Sequence, residues 1–406
     1  VNGISTGVSN SPGIYGSLLI NSNTVTFATA TTSSQWGIRQ AGTSNVTATT
    51  ITGNKVQNCS VTASGGAFTG IEDASTNAAL VVVITGNEVT GNSSVATNDF
   101  TGIYRSGATS TTTGTAVNLS SNLVQNNTKS GAGTLYGIRL GNQPAAAVVT
   151  ASSNTVNNNQ ITAASGTLYA LRLAAGQITA QTNTLTNNTI TTSTGVSSST
   201  VIGYYNFDST PLENLTGNII TGLSIGGAST STGHGVTGIL TNTLAAAVKT
   251  ISLNTIGGLS ITGSGSGTVR GINQTLGTTI GISRNKIYDL SAVGTSGSAQ
   301  GILISSGTTI NITNNLIGNL TAPQASGGVA VIGIDLTSGT TNNVQYNTVY
   351  LNASSTSATF GTAGIRFPTS GTQDFRNNLV VNTSTAGTAG FTVALRRAAS
   401  GTNGTP

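Results

Sequence analysis

The chain has 406 residues, of which only 6% are charged, with 54 glycines, one Trp, one Cys and no Met. So little charge and aromatic mass argues against ordinary globular domains, while the 36% apolar residues recur too regularly for a disordered tract. The net charge of +5 comes from 14 cations scattered against 9 anions, without the clustering that nucleic acid or an anionic membrane surface requires.

No apolar run approaches the roughly 18 residues of a membrane-spanning helix, so direct membrane insertion is not expected. A single cysteine, Cys59, cannot make an internal disulfide. The N-terminus lacks a signal-peptide pattern. Val1 begins partway into a repeat and Gly404-Thr405-Pro406 follows without a cap, so residues 1–406 read as a single domain cut from a longer polypeptide.

In chain order, the first complete unit runs Ile20, Asn23, Val25 and then Gly37-Ile38. The asparagine returns at Asn54, Asn87, Asn122, Asn154, Asn183, Asn218, Asn254, Asn285, Asn315, Asn347 and Asn378, at spacings of 29 to 36 residues with a mean of about 32. Two residues after it stands an aliphatic side chain every time, from Val25 and Val56 through Leu185 and Ile220 to Val380. Three residues before it stands an apolar one, from Ile20 and Ile51 to Val344 and Phe375. A second block, Gly followed by an apolar residue, comes after a loop of variable length: Gly37-Ile38, Gly70-Ile71, Gly102-Ile103 and onward to Gly364-Ile365 and Gly390-Phe391, with Ala170-Leu171 replacing it once.

The short runs alternate apolar with polar, which is the strand period and not the helix period. Each repeat therefore holds three short strands, one ending near the Asn, one starting after it and one carrying Gly-Ile. A unit this small cannot bury its own apolar side and must stack on copies of itself. The reading is an all-β chain: a right-handed parallel β-helix of about 12 coils, its hand taken from the bias of parallel crossovers. Asn suits the corner because it tolerates positive φ and because its amide can bond to the next Asn in an axial ladder. A second polar corner is expected at Asn58, Asn92, Asn126, Asn158, Asn187, Asp289, Asn319, Asn352 and Asn382, with Gly222 and Gly257 filling it elsewhere.

The repeat, well represented by Ile138-Arg139-Leu140 through Ser152-Ser153-Asn154-Thr155-Val156, resembles that of the pectin-lyase-like superfamily over nearly the whole chain. That fold hosts lyases, hydrolases, tailspikes and passive stalks, so the resemblance implies architecture and not activity. The stretches Asn347-Thr348-Val349-Tyr350-Leu351-Asn352 and Arg376-Asn377-Asn378-Leu379-Val380-Val381-Asn382 resemble large surface proteins of Bacteroidota, which implies export by the type IX route.

Chemistry is sparse. The nine acids include one adjacent pair, Glu72 and Asp73, expected to point to opposite faces as a surface pair and to make a poor calcium site. The only histidine, in Gly233-His234-Gly235, falls in a Ser/Thr/Gly-rich stretch without the paired carboxylates of a glycosidase. Cys59 reads as a small apolar or turn residue. No catalytic residue, metal site or cofactor is expected.

Two outward rows remain. Residues two before each corner Asn, such as Thr52, Thr85, Ser120 and Ser252, form an uncharged hydroxyl row suited to lateral packing, carbohydrate or ice. Residues after Gly-Ile include Arg39 beside Glu72, an expected cross-coil pair, and Tyr104, Arg139, Arg172 and Tyr205, a candidate contact ladder for an acidic glycan. The resulting expectation is a non-catalytic stalk, fibre or adhesin segment, extracellular or at the cell surface. Its partners would be flanking domains, further copies stacked end to end, or surface polysaccharide. The alternative is a β-helix that binds or degrades glycans.

Overall fold

A computed structural model describes residues 2–6, 16–41, 46–75, 81–106, 115–174, 176–208, 210–242, 247–263 and 265–398. Val1 and Gly404-Thr405-Pro406, where the terminal irregularities were expected, lie outside the described residues. The described residues contain no helix. The fold is a parallel β-solenoid, and its twelve Asn corners delimit about eleven turns. By packing the chain divides into two compact units, Val1–Ser193 with Gly203–Asn214, and Thr194–Ile202 with Leu215–Pro406.

In the first unit, the strands that approach the corner (Val46–Thr52, Val81–Thr85, Ala116–Ser120, Val148–Ser152) pair only in parallel, with Ile51, Ile84, Leu119 and Ala151 in register. The strands that leave it align Val56, Val89, Val124 and Val156. The glycine strands (Phe68–Asp73, Phe100–Arg105, Thr134–Leu140, Thr167–Leu173) align Ile71, Ile103, Ile138 and Leu171. These three columns are at most 1% exposed, so the expected aliphatic interior is present. The second unit repeats the arrangement with Ile251, Ile282, Ile312 and Val344, with Ile256, Ile287, Ile317 and Val349, and with Ile239, Ile272, Ile302, Ile334 and Ile365. In the last coil, Leu395 and not Phe391 lies opposite Ile365, so Ala394-Leu395 replaces Gly390-Phe391 in that column.

The glycine column has a packing cause. A Cβ on Gly37 would lie 2.5 Å from Val56 Cγ1 and 2.6 Å from the Gly70 carbonyl oxygen. The equivalent atom on Gly271 would lie 2.6 Å from both Ile287 Cγ2 and the Gly301 carbonyl oxygen. The aliphatic residue two after the corner Asn thus packs across the interior onto bare backbone. Glycine is selected there for close approach.

The strand count differs between the units. In the second, the coil after Asn218 still has a split exit strand, Ile219–Thr221 and Ser224–Ser229, and from the next coil on three strands are found as expected, the exit strand running unbroken as Thr255–Ile261, Lys286–Ala292 and Leu316–Thr321. In the first, that strand is split into Lys55–Gln57 and Ser60–Val61, Glu88–Thr90 and Ser93–Ser94, and Leu123–Gln125 and Thr128–Lys129.

Candidate functional site

The Asn ladder is the most developed polar feature. In the first unit it runs Asn23, Asn54, Asn87, Asn122, Asn154, Asn183, and in the second Asn218, Asn254, Asn285, Asn315, Asn347, Asn378. Within each unit, Oδ1 of one Asn accepts from the backbone N–H and from Nδ2 of the Asn one coil earlier, at 2.9–3.1 Å. Its second Nδ2 hydrogen goes to the carbonyl of the apolar residue ahead of the previous corner, as from Asn122 to Ile84 at 2.8 Å and from Asn285 to Ile251 at 2.9 Å. Asn122 and Asn285 therefore use two acceptor and two donor positions, the full capacity of an amide. Both are 1% exposed, where an unmet polar group would be costly.

The conformational role expected of Asn belongs to another residue. The left-handed backbone falls on the position immediately before each corner Asn: Ser22, Gly53, Gly86, Ser121, Ser153, Thr182, Gly217, Leu253, Arg284, Asn314, Tyr346 and Asn377, with φ between 51° and 66°. Asn is there for its amide.

The second corner falls on most of the residues expected for it. Asn58, Asn126, Asn158, Asn187, Asp289 and Asn319 take positive φ, as do Gly222 and Gly258, the latter in place of the expected Gly257. The buried second ladder of the first unit lies one residue further on, at Asn92, Asn127, Asn159 and Asn188, bonded Nδ2 to Oδ1 at 2.8–2.9 Å. Of the residues expected at this corner only Asn92 belongs to that ladder; Asn352 is exposed, and Asn382 donates to the Val393 carbonyl at 2.8 Å. Cys59 extends the second ladder. Its N–H donates to Asn92 Oδ1 at 2.8 Å and its thiol reaches the Val25 carbonyl, as Asn92 Nδ2 reaches Val56. Burial pushes its thiol above the usual range, so it is an inert stand-in for Asn.

Several expectations about charged residues are corrected. Glu72 and Asp73 do point to opposite sides, but neither is at the surface, with exposures of 8% and 0%. Glu72 meets Arg39 at 2.9 Å, the expected cross-coil pair. Asp73 faces the interior and pairs with Arg105 at 3.4 Å, both wholly buried. Burial pushes the Asp73 carboxyl up, with Arg105 opposing it. His234 begins the strand His234–Thr241, is 3% exposed, and accepts a hydrogen bond at Nδ1 from the Ser199 N–H. Its imidazole is held below the usual range by burial, with the Ser199 hydrogen bond opposing. Among the hydroxyl row, Thr52, Thr85 and Ser120 are half-buried, while Ser252 is buried and 3.2 Å from Thr216.

The expected contact ladder assembles on the outer side of the first unit's glycine sheet. Tyr104 faces Arg139 and Arg139 faces Arg172 in register. The Arg139 guanidinium lies 4.8 Å from the Tyr104 ring centroid and 4.4 Å from that of Tyr136. Arg172 lies 5.7 Å from Tyr136 and 5.9 Å from Tyr205. Tyr136, Tyr169 and Tyr205 stack in sequence, with centroids 5.4 and 4.9 Å apart. Burial, reinforced by the two flanking tyrosines, pushes the Tyr169 hydroxyl up to about 12. Asp99 lies 3.6 Å from Arg139. Nε of Arg139 and of Arg172 is buried without a hydrogen-bond acceptor.

Tyr136, Tyr169 and Asp99 were not anticipated. The signal was present in two near-identical heptads, Thr134-Leu135-Tyr136-Gly137-Ile138-Arg139-Leu140 and Thr167-Leu168-Tyr169-Ala170-Leu171-Arg172-Leu173. Strict alternation would put Tyr136 and Arg139 on opposite sides. The irregularity at Gly137-Ile138, where Ile138 pairs and Gly137 does not, returns both to the outside. Stacked rings beside guanidinium donors can hold a flat or anionic ligand by stacking and by charge-assisted hydrogen bonds. Among the described residues, no three His, Cys, Asp or Glu side chains are grouped to hold a metal ion.

No protein-family model matches the chain, and no curated protein matches it in sequence.

Proposed function

We propose that this chain is a non-catalytic structural segment of an exported protein, a stalk, fibre or adhesin at the cell surface, with the right-handed coil of the pectin-lyase-like superfamily and an origin among the surface proteins of Bacteroidota. The observation that carries this reading is the fully used Asn ladder. The most numerous buried polar side chains of the interior bond along the coil axis and leave none of their amide capacity for a substrate. Incubation with neutral and acidic polysaccharides, followed by assays for new reducing ends and unsaturated products, is expected to give none. Release of oligosaccharides would overturn the reading.

The adhesive part of the reading rests on the Tyr104–Arg139–Arg172–Tyr205 patch. Arg139→Ala with Arg172→Ala is expected to weaken binding to acidic polysaccharide in affinity electrophoresis by at least tenfold. Unchanged mobility shifts would remove the glycan role and leave the scaffold role intact.

A further inference from the structure

Three polar side chains meet inside the second unit where neighbouring coils place aliphatic ones. Thr241 and Gln274 end consecutive glycine strands and lie opposite one another. Their column continues as Ile304 and Leu336. Lys249 belongs to the approach strand Val248–Ser252, in a column that continues as Ile280 and Ile310. All three are at most 1% exposed. Lys249 Nζ lies 3.1 Å from Thr241 Oγ1 and 3.2 Å from Gln274 Oε1. The Thr241 hydroxyl donates to Gln274 Oε1, and Gln274 Nε2 donates to the Leu276 carbonyl.

We propose that Lys249 and Gln274 join in a self-formed amide cross-link that closes a single coil. Lys249 Nζ attacks Gln274 Cδ, and the new N–C bond replaces the Cδ–Nε2 bond. A proton from Nζ passes to Nε2, which leaves as ammonia, so the exchange balances without an oxidant or a co-reactant. The Thr241 hydroxyl already points at the oxygen on which negative charge develops, the role of an oxyanion donor. The amine is the nucleophile because it is the stronger one, and because the Thr241 proton is committed to Oε1. The fold holds amine and amide together from the start, which removes the entropic cost of their encounter. The site is at most 1% exposed, which limits the access of bulk water that would hydrolyse the amide instead. The product ties an approach strand covalently to the glycine strand that follows it. This step stands independently of the adhesive reading.

Intact mass spectrometry of the purified chain tests it, with peptide mapping of a digest. The expected mass is below the sequence mass by one ammonia, with a branched peptide joining Lys249 to Gln274. Lys249→Met and Gln274→Leu are each expected to show their full sequence mass. A wild-type chain at full sequence mass would overturn the proposal, however the two variants fold. So would a deficit that maps to a Thr241–Gln274 ester or to an asparagine elsewhere.

Discussion

Beneath the second corner the first unit places Asn92, Asn127, Asn159 and Asn188, whereas the second places Leu223, Leu259, Leu290 and Leu320. The backbone turns alike in both, through a left-handed residue one position earlier: Gly91, Asn126, Asn158 and Asn187 in one, Gly222, Gly258, Asp289 and Asn319 in the other. The turn is therefore set by that residue, and what lies under it is a separate choice. The exit strand is interrupted at each of these amides, whereas with leucine it is interrupted at Leu223 and continuous at Leu259, Leu290 and Leu320. The first corner, by contrast, is Asn in both units.

The sharpest test of this contrast is at the first corner, where both units should respond alike. Asn122→Ala in the first and Asn285→Ala in the second each strand the N–H and Nδ2 of the preceding Asn and one buried carbonyl. Each is expected to lose roughly 3–5 kcal/mol in denaturant unfolding, from groups left unmet in the interior. A loss under about 1 kcal/mol in either would show that its ladder is dispensable.

The second corner should separate the units. Asn127→Leu strands Asn92 and the Val89 carbonyl and should cost about 2–4 kcal/mol, although leucine is native at that place in the other unit. Changing Asn92, Asn127, Asn159 and Asn188 to Leu together should cost less than the sum of the four single changes, because each removes its neighbour's unmet partner. Additive losses would mean that leucine fails there for reasons of shape.

A smaller, pH-dependent difference comes from Lys129, whose register partners are Ser94 and Ile161. Its amine donates to the Asn98 carbonyl at 2.7 Å and to that of Ala96. Burial lowers it to about 8 from 10.5, with Asp99 opposing. Below pH about 8 the folded and unfolded chains both hold this proton. Between about 8 and 10.5 the unfolded chain still holds it and the folded chain has released it, so its contribution to stability rises with pH. The stability difference between wild type and Lys129→Met should therefore shift in favour of wild type across that window. A difference that stays constant would refute the buried charge.

The smallest effect is expected at Leu253, which holds φ at 59° with half its side chain exposed. Asn occupies the same place at Asn314 and Asn377. Leu253→Asn should raise stability by about 0.5–1 kcal/mol by relieving a conformation that branched side chains resist. Unchanged thermal unfolding would show that the corner imposes no strain there.

The Asn corners, the two aliphatic columns and the parallel stack were legible because each repeats at nearly every coil and is read by period alone. The left-handed position was not, because Ser, Gly, Thr, Leu, Arg, Asn and Tyr all occupy it. The second ladder was misplaced by one because Asn126-Asn127, Asn158-Asn159 and Asn187-Asn188 are doublets, and letters cannot tell which member turns and which is buried. Of the candidate patch, Tyr104, Arg139, Arg172 and Tyr205 were found by counting from Gly-Ile. Tyr136 and Tyr169 were hidden by the irregularity at the glycine. Lys249 and Gln274 share the parity of Ile251 and Ile272, so alternation turns them inward, and it was their polar chemistry that hid them among aliphatic columns.

The position before each corner Asn has a practical consequence. Its geometry is fixed by backbone, and at Leu253 and Tyr346 its side chain is half or more exposed. Consecutive examples within a unit sit one strand spacing apart, roughly 4.8 Å. That row is a molecular comb: dyes, sugars or charges attached at chosen teeth would be held at known intervals without disturbing the amides beneath.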